Sequence, residues 1–200
     1  MTVRIYVEGG GRQADVLRRC REGFRRFLDR AVPTASGRYK VIACGGREEA
    51  FEDFERAMQS HPADVCLLLV DSEGPVLAGV EARSYLATEA KWRPAGPVRP
   101  EQVHLMVQAM EAWFVADRQA LAAFYGQGFA ASSLPANSNP EEIPKADLER
   151  GLAAATRHAN PKGPYHKTRH GFDLLANLDP LAVARCPNGK RFLTTLTDLA

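Results

Sequence analysis

Val65-Cys66-Leu67-Leu68-Leu69-Val70 is the most apolar run in the chain, and it stops abruptly at Asp71. Its hydrophobicity is continuous rather than alternating. A strand buried on both faces has that character, and such burial belongs to the interior of a parallel sheet. Upstream, Tyr39 to Ala43 reads as a second short strand closed by Gly45-Gly46, and Val3 to Val7 as another, running into Glu8 and Gly9-Gly10-Gly11. Helical periodicity fills the gaps between them. Leu17, Cys20, Phe24 and Phe27/Leu28 recur at three- and four-residue spacing after Gln13, and Ala50/Phe51, Phe54 and Ala57/Met58 repeat the pattern before His61-Pro62. Strands alternating with helices imply right-handed βαβ crossovers and an α/β layer architecture.

Downstream, Pro94 to Pro100 is a Pro- and Gly-rich loop, Gln102 to Val107 a fourth strand, and Met110-Glu111-Ala112-Trp113-Phe114 the start of a helix. Ala131 to Pro144 reads as an exposed loop, Asp147 to Ala159 as a helix, and Gly163 to the end as one or two further short helices. The expected fold is α/β, with a mostly parallel sheet of about four strands flanked by helices. Residues 1–125 form the α/β part and residues 126–200 a helical extension packed on the same domain. Trp113, Phe114 and His104 are expected in the core.

The 200 residues carry 26 Lys plus Arg against 24 Asp plus Glu, a net +2 too balanced to mark a nucleic-acid binder by itself. Hydrophobic residues at 45% exclude global disorder. No stretch approaches the roughly 20 apolar residues of a membrane span. Met1-Thr2-Val3-Arg4-Ile5-Tyr6-Val7-Glu8 lacks a signal-peptide layout, so no membrane contact and a cytoplasmic location are expected. Cys20, Cys44, Cys66 and Cys186 form no Cys-x-x-Cys pair and are expected as reduced, buried thiols.

Charge is concentrated in places. Seven arginines lie between Arg12 and Arg30, and Lys162, His166, Lys167, Arg169 and His170 form a second basic cluster. Solvated surface and phosphate contact are both open for these clusters. The acids follow the strands: Glu8 after the first, Asp71 and Glu73 after the third, Glu111 shortly after the fourth. Ligands of a parallel α/β sheet sit outside the carboxyl ends of its strands. Neighbouring strands would gather these carboxylates at one rim, where Mg²⁺ or Mn²⁺ would relieve their repulsion. If extended backbone continues past Val70, Asp71 and Glu73 point to the same side and Ser72 away. The competing assignments are a helix N-cap for Asp71 and helix-surface pairing for Glu111. Gly9, Gly10 and Arg12 suit close approach to a phosphate, although they lack the Gly-Lys-Ser/Thr ending of a P-loop.

Val7-Glu8-Gly9-Gly10 together with Leu68-Leu69-Val70-Asp71-Ser72-Glu73-Gly74 resembles the Toprim domain of topoisomerases, bacterial primases, small ribonucleases and OLD-type nucleases. Val107 to Asp117, Tyr165-His166-Lys167 and Arg185-Cys186-Pro187 with Phe192 extend the likeness to an uncharacterised Toprim-like family of bacteria, domain of unknown function 4276. The resemblance implies a Toprim/Rossmann-like fold and metal-dependent phosphodiester chemistry on nucleic acid. It also implies an ATPase partner of OLD-like or AAA type, in defence against phage or foreign DNA. By the same resemblance Glu8 is the general acid/base and Asp71 with Glu73 holds Mg²⁺, with Glu111 as a further metal residue. Lys167 is expected to assist catalysis and His170 and Arg185 to meet a phosphate, or Arg185 to support an acid of the site. Glu73 stands where that domain has a second Asp, and Pro75 where a third acid would follow. Nuclease is the surviving Toprim activity, because neither a tyrosine-bearing second domain nor a zinc framework has a place in this chain. A catalytically degenerate partner of an ATPase and a Rossmann-type nucleotide binder are the rivals. Whether the chain forms a homo-oligomer is open.

Overall fold

The computed structural model describes residues 2–200; Met1, where the N-terminal reading begins, lies outside the described residues. Among these residues the strands form one sheet of four: β1 (Val3–Glu8), β2 (Tyr39–Cys44), β3 (Val65–Asp71) and β4 (Val103–Met106). All pairings are parallel, in the order β2-β1-β3-β4, with Val7 opposite Leu69 and Ala43, and Asp71 opposite Met106. The apolar run from Val65 occupies an inner strand, as its composition requires.

Alternation divides each strand between two cores. Val3, Ile5, Val7, Leu67 and Leu69 face α1 (Ala14–Ala31) and the helices that follow β4. Tyr6, Cys66, Leu68, Val70, Val103 and Leu105 face α2 (Arg47–Ser60) and α3 (Ala82–Glu89). The first two crossover helices therefore lie on opposite faces of the sheet. The chain leaves β1 toward β2 and returns across it to β3. That reversal makes the carboxyl ends of β1 and β3 a topological switch point, the habitual place for a ligand in an open parallel sheet. The architecture is consistent with a Rossmann/Toprim-like fold.

After β4 come α4 (Glu111–Ala116), α5 (Arg118–Tyr125), α6 (Lys145–Thr156), α7 (Lys167–Leu175), α8 (Pro180–Val183) and α9 (Pro187–Asp198). The chain after Gly163 thus holds three helices rather than one or two. Pro180 and Pro187 each occupy a first helical position and divide the segment. α3 has a weak amphipathic pattern and escapes the sequence reading.

Residues 131–144 are not the plain exposed loop expected. Leu134, Pro140, Glu141 and Ile143 are buried. The Glu141 carboxylate accepts hydrogen bonds from the Asn188 and Gly189 amides at the start of α9, at 2.9 and 3.3 Å. Those amides have no partner inside their own helix, so Glu141 fastens the loop to α9.

Trp113 is fully buried between Phe27 of α1 and Phe192 of α9, with ring centroids 5.8 and 6.3 Å away. His104 is also a core residue. Burial, reinforced by nearby Arg191, lowers its pKa to about 3 and keeps the ring neutral. The four cysteines are free and buried. Among the described residues no helix is long and apolar enough to cross a membrane.

Candidate metal centre

β1 and β3 are hydrogen-bonded neighbours, so the acids at their ends meet. Glu8, Asp71 and Glu73 each bring one carboxylate oxygen into a group whose members all lie within 4.8 Å of one another. The backbone route differs from the expected one. β3 ends at Asp71 and does not continue extended, because Glu73 adopts φ +63°. A left-handed conformation is uncommon for a residue with a side chain. Hydrogen bonds on both sides hold it: Ser72 N donates to the Met106 carbonyl at 3.0 Å and Glu73 N to the Gln108 carbonyl at 3.1 Å. The Ser72 hydroxyl accepts from Gln108 N at 2.8 Å and donates to the Gly74 carbonyl at 2.6 Å. Ser72 therefore ties the acidic loop to the chain leaving β4.

Asp71 is almost fully buried. It does not cap the next helix, where Glu81 stands at the N-cap. Its Oδ1 accepts from Met110 N at 3.0 Å, and its Oδ2 lies 3.3 Å from Lys167 Nζ at the start of α7. Burial pushes its pKa up to about 7; Lys167 opposes the shift, and Glu8, Glu111 and Glu73 add to it. The same physics raises Glu8, whose burial outweighs the attraction of Lys167. Glu8 Oε2 is buried with no hydrogen-bond partner. An orphaned carboxylate oxygen in a cleft of acids is the condition a hard cation relieves.

Glu111 lies outside that group of three. It is fully buried at the start of α4, accepts a hydrogen bond from Tyr165 Oη at 2.7 Å and sits 3.9 Å from Lys167 Nζ. Burial works against the Lys167 ammonium, but Asp71 and Glu111 more than offset it and hold its pKa above the ordinary lysine value. Lys145, at the start of α6, pairs with Glu73. Four carboxylates and two ammonium groups leave the cluster with a formal charge of −2, from 4 acids less 2 lysines. The donor set is all oxygen and anionic, which fits a hard divalent cation rather than a soft metal.

A hollow of about 20 Å³ lies among Glu8, Gly10, Asp71, Met110 and Lys167. Gly10 borders it with φ +71°. Gly9 is held to glycine by packing: a Cβ there would lie 2.2 Å from the Cys44 carbonyl oxygen. Three expected phosphate contacts stand apart from this cluster. Arg12 is exposed and pairs with Glu49. His170 is buried, with Nδ1 3.1 Å from Tyr125 Oη. Arg185 donates to the Ala116 carbonyl and lines a different cavity.

Lys145 and Tyr165 escaped assignment from sequence. Tyr165 stands two residues before Lys167 in a segment already singled out by resemblance. Lys145 has no local signal, since only the fold brings α6 to the β3 rim.

Fold and site together define an α/β protein with an acidic cluster at its switch point that could hold a metal ion. A family model described as "Domain of unknown function (DUF4276)" matches residues 7–197, and the chain belongs to that family. No curated protein and no solved structure matches the chain.

Proposed function

We propose that this protein is a Mg²⁺- or Mn²⁺-dependent nuclease of Toprim type, hydrolysing phosphodiester bonds of DNA or RNA. The observation that carries the proposal is the meeting of Glu8, Asp71 and Glu73 within 4.8 Å at the switch point. Asp71 and Glu73 would hold the cation. Bound there, it would supply Lewis-acid polarisation of the phosphate and lower the pKa of an attacking water. Burial raises the Glu8 pKa above the ordinary carboxylate value and its Oε2 is buried without a partner, so Glu8 is the group suited to take or give a proton at that atom. The Lys167 ammonium offers a donor to a phosphate oxygen. Glu111 and Tyr165 fix its position rather than touching substrate. On this reading the enzyme would act in the cytoplasm beside an ATPase of OLD-like or AAA type, in defence against foreign DNA, as the Toprim resemblance suggests for the partner and role.

Mn²⁺ calorimetry tests the centre directly, without substrate or partner. Wild-type protein binds the ion, and Asp71→Ala and Glu8→Ala abolish or weaken binding by about tenfold or more. Binding indifferent to both substitutions would sink the assignment.

The lysines favour a second reading, a degenerate site in a partner of an ATPase. Lys145 and Lys167 already neutralise part of the cluster, as a cation would. A wild-type protein that takes up no Mn²⁺, alongside a Lys145→Ala variant that does, would select this alternative.

A further inference from the structure

A cavity of about 580 Å³ adjoins the acidic cluster, with Glu73 in its wall. Its size falls within the roughly 300–1,000 Å³ of small-molecule sites. Loop 74–81 forms one side of it and α3 the other. Leu77 and Val80, on that loop, are 77% and 40% exposed, and only Leu181 joins them as an exposed large hydrophobic among the described residues. Across from them stands Tyr85 of α3, whose hydroxyl donates to the Ser72 carbonyl at 3.2 Å. Gly74 permits that approach, since a Cβ there would lie 3.3 Å from the Tyr85 hydroxyl. An aromatic ring is thus fixed beside the acidic loop, in a cavity wall that it shares with Leu77 and Val80. Arg47, the first residue of α2, lines the same cavity. Among the described residues it enters no ion pair, and its charge is felt by both Glu8 and Tyr85. Ser84, Thr88 and Glu89 complete the wall, so the cavity offers a cation, an aromatic ring, apolar side chains and polar groups together, which matches a ligand with an anionic end and a flat, polar-edged end.

We propose that this cavity holds a nucleoside, and that Arg47 binds the phosphate joining that nucleoside to the acidic cluster. The inference rests on the nuclease reading and extends it, because it gives the substrate a base pocket beside the bond to be cut. Arginine is suited to a phosphate through its forked donors. A base gains roughly 1–3 kcal/mol from stacking on an aromatic ring, and the lower part of that range, about 1.4 kcal/mol, is tenfold in affinity. The Tyr85 ring reads a π-face, which every base has, so stacking there accepts bases without a strong sequence preference.

The test is calorimetry on Mn²⁺-saturated protein with inorganic phosphate and with adenosine 5′- and 3′-monophosphate. The better nucleotide binds about tenfold more tightly than phosphate. Ser84→Trp, on the exposed cavity side of α3, removes that surplus while leaving phosphate and Mn²⁺ binding unchanged. Arg47→Ala weakens phosphate and nucleotide alike by about tenfold, while Mn²⁺ binding is retained. Nucleotides no tighter than phosphate, or either variant behaving as wild type, would overturn the proposal. If Mn²⁺ binds and is lost in Asp71→Ala while these results fail, only the nucleoside pocket falls. If Mn²⁺ never binds, with or without phosphate, the metal centre and the pocket fall together.

Discussion

Asp71 should make the metal-free protein less stable as pH rises, which is the reverse of an ordinary ion-paired carboxylate. Its pKa is about 7 in the folded chain against an ordinary 3.8. Below both values the group is protonated in folded and unfolded states alike and contributes no pH dependence. Between them the folded chain keeps the proton and the unfolded chain has lost it, so stability falls with pH by about 1.4 kcal/mol per unit. The decline ends near pH 7, after a total of about 4 kcal/mol. Asp71→Asn removes this titration and keeps an oxygen to accept from Met110 N. The difference in unfolding free energy between wild type and Asp71→Asn isolates the effect from groups common to both. Urea unfolding in chelator, at half-unit steps from pH 4.5 to 8.5, reads it out. The difference should move against wild type up to about pH 7 and then flatten. A difference constant across the range would mean that Asp71 is ionised throughout and that Lys167 alone compensates its burial, which would refute the argument.

The same proton competes with a cation, so Mn²⁺ affinity in calorimetry should rise with pH up to about 7 and level off above it. Gly9→Ala forces a Cβ to 2.2 Å from the Cys44 carbonyl; a loss of about 3 kcal/mol in chemical unfolding is expected, and an unchanged midpoint would contradict the packing. Trp113→Ala empties the space between Phe27 and Phe192 and should cost about 4 kcal/mol, read as a lower thermal midpoint.

The sheet was legible because strands buried on both faces leave a continuous apolar run, and because each crossover helix repeats its apolar positions at helical spacing. The rim acids were legible for a related reason: charge directly after a buried strand stands out. What escaped had no such local mark. α3 is short and weakly amphipathic. The left-handed turn at Glu73 is imposed by Met106 and Gln108, which lie more than thirty positions away in the chain. Lys145 reaches Glu73 only through the packing of α6. His170 and Arg185 show the converse limit. The basic cluster and the resemblance suggested phosphate contact, and nothing in the sequence marked the Tyr125 hydroxyl beside His170 or the Ala116 carbonyl that accepts from Arg185.

The pairing of Lys167 with Asp71 spans 96 positions of sequence. A ribosome therefore exposes the acids of β1 and β3 well before it delivers the ammonium that balances them. During that interval Lys145 offers the rim its one ammonium, to Glu73, while Asp71 has none, and the aromatic layer around Trp113 still lacks Phe192. Contacts this distant form late and slowly. Centre and core are thus completed by the same final helices, so a nascent chain has neither the finished rim nor the finished fold until α7 and α9 dock.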